Sequence, residues 1–524
     1  MGRHSDAVLS ALNLEESRMK LNALFLSMTL LFPAAPGLLA ESASSSQRDG
    51  SASAGKPNIL LILADDLRPD CIGALGNPHI RTPNIDRLVT QGVAFNNCFV
   101  MGSNQTAVCT PSRTMLMTGR NLFHMPLDEG RPDNKPSVPV DFQMLRAAGY
   151  DTFYLGKNGR TYNPGCRTAD RCEFFSETFS AKNKDICPDK VVAYLREPER
   201  AKRPFYISFA ISVPHDPLSP APEDLALYKG ENAPPLPPNE SVSHAAFAGF
   251  ELRDTNCRAF GAGPAGSLFS TAPEEKRREA LAAYYAVMTG YDKQIGRVLD
   301  ELEHTGLAKN TLVVFASDNG LSFWDHGLIH KQSLYETDNR VPLIIRGPGL
   351  PAGQKRGTFV YLSDLLPTLL DLIGVPVPTS VETKSFAPCI KDPQLVHRKN
   401  IYMAYRREIR TFRDEQYKLV LYNVAYSKAR STQLFDLKAD PYEKNNLAKN
   451  PEQAERVRRM IAQAHEAGKE LGDDYQGKDA GRNAIMSKLR FWSTWDMRHE
   501  FGPGDVQNFP EKYIIDGTKE EWGD

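Results

Sequence analysis

The chain has 524 residues, with 63 Lys and Arg against 64 Asp and Glu for a formal net charge of -1. At 41% hydrophobic and 24% charged residues it has the composition of a soluble globular protein with a sizeable core, and its length accommodates one large α/β domain with a smaller one. The charge balance excludes a global bias toward nucleic acid or membrane surfaces, so an anionic ligand would need a local cationic pocket.

In chain order, the first feature is an apolar run at residues 21–31, LNALFLSMTLL, followed by Pro33, Pro36 and Gly37. It is too short to span a bilayer and fits the apolar region of a signal peptide, flanked by Arg18 and Lys20. Asp6, Glu15 and Glu16 make a poor basic leader, so translation is expected to begin at Met19. Residues 1–40 therefore read as a signal peptide of an exported protein, periplasmic or secreted. A tail with a short amphipathic helix is the alternative. Residues 41–55 are small and polar and read as a disordered linker.

Three continuous apolar runs follow, at 58–64, 205–210 and 311–317. Such runs predict strands buried on both faces of a mostly parallel sheet. They lead into Asp65-Asp66, Pro214-His215 and Asp318-Asn319-Gly320 respectively. With helical patterns at 137–148 and 274–305, the fold class is α/β: a large domain, residues 56–390, whose central, mostly parallel mixed sheet is flanked by helices. In such sheets ligands gather beyond the carboxyl ends of the strands. Residues 216–272 are rich in Pro and Gly and read as a long lid or specificity loop, or else as a disordered stretch. Short alternating runs at 401–405, 407–412 and 417–422, then a charged helix near 451–470, predict a smaller C-terminal domain, residues 391–524, with an antiparallel sheet and a helix. The last fifty residues carry no motif.

Eight cysteines are present, at 71, 98, 109, 166, 172, 187, 257 and 389. In an exported protein Cys166, Cys172 and Cys187, in one loop-like stretch, are candidates for bridging. No CxxC pair exists, so a zinc knuckle is not expected.

The strongest local signal is Cys109-Thr110-Pro111-Ser112-Arg113-Thr114-Met115-Leu116-Met117-Thr118-Gly119-Arg120. It resembles the signature of type I, formylglycine-dependent sulfatases, a branch of the alkaline phosphatase superfamily: Cys-x-Pro-Ser-Arg, three variable residues, Leu, Thr-Gly-Arg. It departs only at Met117. Pro111 suits a first helical turn, which puts residue 109 at a helix N-terminus where backbone N–H groups favour an anion. The resemblance implies that a formylglycine-generating enzyme oxidises Cys109 to an aldehyde. One hydroxyl of its hydrate would take the sulfuryl group and the other expel sulfate. Arg113, one turn on, would hold the nucleophile and the metal-bound oxygens.

The metal site implied by the same resemblance consists of Asp65, Asp66, Asp318 and Asn319 with residue 109. These are hard oxygen donors that suit Ca²⁺ better than zinc and leave Mg²⁺ open. Three cationic groups would hold the sulfate. Lys157 lies in Tyr154-Leu155-Gly156-Lys157, similar to the family's Gly-Lys element. His215 lies in Pro214-His215-Asp216-Pro217 and would protonate the leaving oxygen. Lys331 ends His326-Gly327-Leu328-Ile329-His330-Lys331. One departure stands out: family members often carry a histidine shortly after the Gly-Lys lysine, whereas residues 157–163 read KNGRTYN. Either Asn163 or another residue fills that role, or the nucleophile is activated differently.

Further landmarks at 82–88, 364–369 and 434–447 extend the resemblance over residues 56–450. It implies a sulfuric ester hydrolase acting on a sulfated carbohydrate outside the cell, with no nucleic-acid partner and no integral membrane span. A phosphodiester or phosphonate monoester hydrolase of the same superfamily is one alternative. A catalytically silent relative that binds sulfated glycans is another.

Overall fold

The run at 58–64 forms strand β1 (Asn58–Asp65), every residue of which is buried. Its side chains alternate between two cores. Leu60, Ile62 and Ala64 face one, and Ile59, Leu61 and Leu63 face the other. A strand so placed has no polar face to offer water, which is why its sequence is continuously apolar. The computed structural model describes residues 55–473, except 106, 127–134, 159–161, 176–185, 216–217, 241, 243–272, 407 and 425–428. The expected signal peptide, most of the linker, much of the long loop and the terminal tail lie outside the described residues.

The large sheet contains β1, β2 (Val93–Phe95), β4 (Asp151–Gly156), β5 (Arg171–Phe174), β6 (Phe205–Pro214), β7 (Thr311–Ser317), β8 (Leu343–Arg346) and β9 (Gln354–Arg356). Their order is β9-β2-β8-β7-β1-β6-β4-β5. All pairings are parallel except the two made by β8. One face is covered by α1 (Pro83–Gln91), α4 (Ile186–Leu195) and the long α5 (Glu274–His304). The other is covered by α2 (Cys109–Thr118), α3 (Asp141–Ala147) and α6 (Leu365–Leu372). The helix expected from 137 thus starts four residues later, at Asp141.

A smaller sheet carries β10 (Ile401–Tyr405), β11 (Ile409–Arg413), β12 (Tyr417–Val424) and β13 (Ala429–Asp436), antiparallel throughout. Its fifth member comes from far upstream: β3 (Gly102–Ser103) pairs in parallel with β10 at Ala404 and Tyr405. Helix α7 (Ala454–Leu471) packs Val457, Met460, Ile461 and Ala464 into the same core as Met101, Val108 and Met115. The segment leading into Cys109 is therefore seated on the smaller sheet. No described helix is long and apolar enough to cross a membrane.

The expectation of bridging among the clustered cysteines is corrected. Cys166 closes a short helix, Asn163–Cys166, and is buried, Cys172 lies on β5, and both are free thiols. The Cys187 side chain and Cys257 lie outside what is described.

Candidate active site

Four adjacent parallel strands, β7, β1, β6 and β4, end on the same side of the sheet. In register, Ala64 pairs with Ser317, Asp65 with Pro214 and Gly156 with Ala210. The residues that follow these positions, Asp66, Asp318, Asn319, His215 and Lys157, therefore converge beyond one sheet edge. Gly156 is needed for this, because a Cβ there would lie 2.2 Å from the Ala210 carbonyl oxygen. The Lys157 N–H then donates to that same oxygen at 2.8 Å, which fixes where the lysine leaves the strand. Gly320 is equally constrained: a Cβ would stand 2.0 Å from the Thr337 carbonyl oxygen.

Asp66 adopts φ 69°, a left-handed conformation that a non-glycine residue holds only when its surroundings enforce it. Its N–H donates to Asp318 Oδ1 at 3.3 Å and its carbonyl accepts the Tyr284 hydroxyl at 2.7 Å. This turn points the side chain of Asp66 at Lys331, whose ammonium donates to both carboxylate oxygens at 2.7 and 2.8 Å.

Cys109 is the first residue of α2, which has no side-chain N-cap. Its sulfur is met by two ammonium groups, Lys157 Nζ at 3.6 Å and Lys331 Nζ at 3.5 Å. Lys157 Nζ also stands 2.5 Å from Asp65 Oδ2. Arg113, one helical turn after Cys109, directs its guanidinium to the acids: Nε donates to Asp318 Oδ2 at 2.7 Å, and Nη2 is 3.3 Å from Asp65 Oδ2. His215 Nε2 lies 3.8 Å from Asp66 Oδ2. Ligand atoms of Asp65, Asp66, Cys109 and His215 all lie within 4.8 Å of one another.

The electrostatics follow from this crowding. Burial alone would raise the Asp65 pKa, but Lys157, His215, Arg113 and Lys331 hold it well below the usual carboxylate range. Asp318 is pushed up to about 6, by its own burial and then by the charge of Asp65. Two neighbouring carboxylates divided in this way are the mark of like charges sharing one site. Burial pushes the Cys109 thiol up, against the pull of Lys157 and Lys331.

Among the described residues, Asp65 Oδ1 and Asn319 Oδ1 are buried with no hydrogen-bond partner, while Asn319 Nδ2 donates to Asp66 Oδ1 at 2.6 Å. A buried acceptor left unpaired costs about 1–3 kcal/mol, and Asp65 stands beside the carboxylates of Asp66 and Asp318. Hard oxygen donors, bare and crowded, fit a hard dication.

Every residue expected at the site is thus accounted for: Asp65, Asp66, Cys109 and His215 gather at one point, Lys157 and Lys331 flank it, and Arg113, Asp318 and Asn319 adjoin it. Tyr162, Tyr154 and Tyr284 were missed from sequence. The Lys157 carbonyl accepts hydroxyls from Tyr154 at 2.6 Å and Tyr162 at 3.2 Å. The Tyr162 ring lies 5.8 Å from the Arg113 guanidinium. Among the described residues of the stretch that lacks the histidine, Tyr162 is buried beside Arg113, and the Asn163 amide donates to Asn158. An aromatic five positions after the Gly-Lys lysine was the available signal.

A family profile described as Sulfatase matches residues 57–375, and one described as N-sulphoglucosamine sulphohydrolase, C-terminal, matches residues 324–470. An N-acetylglucosamine-6-O-sulfatase from Bacteroides thetaiotaomicron is 25% identical, over 85% of this chain and 91% of its own. An ulvan-active sulfatase from Formosa agariphila is 29% identical, over 81% of this chain and 83% of its own. The solved structure of a phosphonate monoester hydrolase of Agrobacterium radiobacter shares the fold with a TM-score of 0.67, at 21% identity, covering 79% of this chain and 96% of that one. With more than half its length matched by the first profile, the chain belongs to the sulfatase family.

Proposed function

We propose that this protein removes sulfate from a sulfated carbohydrate, with residue 109, matured to formylglycine, as nucleophile and with one Ca²⁺ held by Asp65, Asp66, Asp318 and Asn319. The observation that carries the reading is the placement of Cys109 Sγ between two ammonium groups, at 3.6 and 3.5 Å, beside the carboxylate cluster. The hydrated aldehyde would supply the attacking hydroxyl, and the metal would supply positive charge to the sulfate oxygens.

The protein's own groups do the rest. Lys157 and Lys331 hold the sulfate oxygens over residue 109 and stabilise charge as it develops there. His215 Nε2 holds the proton that goes to the leaving sugar oxygen. Arg113 keeps Asp65 and Asp318 apart and oriented. The first turn of α2 presents N–H groups to the anion. All these side chains except His215 and Lys157 are almost wholly buried, so the reaction proceeds away from bulk water.

The carbohydrate substrate is supported by the names of the relatives, a 6-O-sulfatase of N-acetylglucosamine and an ulvan-active sulfatase. Export, to periplasm or exterior, rests on the apolar run at 21–31. In the same reading residues 56–390 form the catalytic domain and 391–524 a subdomain that braces it.

Parallel assays of the matured enzyme on an aryl sulfate, a phosphate monoester, a phosphodiester and a panel of sulfated sugars test the reading. Sulfate release that exceeds phosphoester cleavage is expected. Preferred phosphodiester or phosphonate cleavage would reassign the activity. Sulfated-sugar binding with no release would make the protein a silent relative.

A further inference from the structure

The smaller sheet has two ends. At one, Tyr405 of β10 pairs with Ser103, six residues before Cys109. At the other, Ile401 pairs with Arg413 and Tyr417 with Asp436. This second end carries a cavity of about 410 Å³ whose lining includes Lys399, Lys438 and Arg456, the acids Asp414 and Glu415, and Tyr417. A five-residue strand separates the two ends by ~17 Å, so one ligand reaches both only if it is a chain.

The charges lining the cavity are not equivalent. Asp414 Oδ1 is taken up by the N–H groups of Gln416 and Tyr417 at 2.9 and 2.7 Å, closing the turn between β11 and β12. Asp436, at the end of β13, accepts from the Gln416 amide and from the N–H groups of Lys438 and Ala439. The lysines are free by contrast: among the described residues neither Lys399 nor Lys438 has an ion-pair or hydrogen-bond partner for its ammonium. The Arg456 guanidinium carbon stands over the Tyr417 ring, 3.7 Å from its centroid, and Nε donates to Gln453. Asp414 Oδ1 is thus taken up by the protein and Glu415 is exposed, whereas the two lysines still have donors to give. Val396, 60% exposed, adds an apolar wall beside the Tyr417–Arg456 stack.

We propose that this cavity is an accessory site for a sulfated sugar unit of a polysaccharide, separate from the Cys109 site. Lys399 and Lys438 pair with sulfate groups, the outer face of the Arg456–Tyr417 stack carries the sugar ring, and Glu415 limits how much negative charge is accepted. Such a site tethers the polymer whose sulfate esters are presented to Cys109. The polymer's identity as substrate rests on the reading given under Proposed function.

The test uses the full chain carrying the unoxidised Cys109 thiol, which does not turn over, and follows binding to dextran sulfate, unsulfated dextran and inorganic sulfate. The Lys399→Ala/Lys438→Ala double variant should bind dextran sulfate roughly 3–10-fold more weakly, since exposed ion contacts are worth under about 1 kcal/mol each. Glu415→Gln should bind it more tightly. Both should keep the melting temperature of the parent, because none of the three side chains is packed. The matured double variant should cleave a small aryl sulfate with unchanged kcat/KM. Unchanged dextran sulfate affinity in the double variant overturns the proposal. So does equal binding of dextran, or tighter binding to phosphatidylserine vesicles than to dextran sulfate. Lysine-dependent polymer binding by a protein that releases no sulfate would contradict the proposed activity and leave this site standing.

Discussion

Arg113 Nε donates to Asp318 Oδ2 at 2.7 Å from one helical turn after Cys109, joining the Cys109 helix to the end of β7. With Nη2 3.3 Å from Asp65 Oδ2, the guanidinium spans two carboxylates that would otherwise repel each other. A lysine lacks the planar fork whose two arms reach these carboxylates in this geometry. Arg113→Lys should therefore weaken Ca²⁺ binding by about 10–100-fold, as loss of a ligand-orienting partner does. Titration calorimetry on the unmatured protein reads this directly. Calcium affinity equal to that of the parent would contradict the role.

Lys331 binds both oxygens of Asp66 and stands 3.5 Å from Cys109 Sγ. It faces the proposed nucleophile and the proposed metal ligands at once. Lys331→Ala should lower kcat/KM on an aryl sulfate by about 10²–10³, the usual cost of removing one preorganised donor to developing charge. Lys331→Arg should not restore it, because the planar guanidinium does not fit a site shaped for a compact ammonium. Full activity in either variant would remove Lys331 from the site.

Tyr162 acts through Lys157, whose carbonyl it holds together with Tyr154. Tyr162→Phe should reduce kcat about 3–10-fold, matching the ~0.5–1.5 kcal/mol net of one hydrogen bond. Calcium affinity should stay constant, since Tyr162 donates to the lysine backbone and not to a carboxylate. A lower melting temperature with unchanged kcat would show a structural role only.

Asp141 lies outside the site and predicts a pH dependence of stability. Burial pushes its carboxyl up from 3.8 to about 7, although Tyr206 donates to it at 2.6 Å and the Phe142 N–H at 2.8 Å. Between these pH values the folded state keeps a proton that the unfolded state has lost, so stability falls as pH rises from about 4 to 7 and levels off above. The ceiling is roughly 4 kcal/mol, at about 1.4 kcal/mol per pH unit across that interval. Asp141→Asn should be more stable than the parent at pH 8, with the difference shrinking toward pH 5. A difference independent of pH in chemical denaturation would count against this.

Much of the site was legible because its residues sit at the ends of strands that the sequence announces. Residues 59–64 and 312–316 are apolar throughout since both faces of the sheet are covered, and the acids beyond them have to emerge at the sheet edge. Lys157, His215 and Lys331 were legible only through the elements around them, for a single lysine or histidine carries no periodic signal. What could not be read depends on long-range pairing. β3 is two residues long and joins β10 some three hundred residues away, so no local pattern reveals that the approach to Cys109 rests on the smaller sheet. The short strands β2, β8 and β9 were passed over for the same reason. Tyr162 was hidden because its role is a hydrogen bond to a backbone carbonyl, which needs no special residue on the other side. The cysteine cluster misled: spacing suggested bridging, but Cys166 is sequestered at the end of a helix in the core.

Residue 109 carries the proposed chemistry, and one comparison isolates it. Parent and Cys109→Ser proteins, each produced with a formylglycine-generating enzyme, should be compared for sulfate released per protein molecule from the same sulfated sugar. Many turnovers are expected for the parent and less than one for the serine variant, whose sulfate ester has no second hydroxyl to expel the anion. Equal sulfate release by the two proteins would contradict formylglycine chemistry at residue 109.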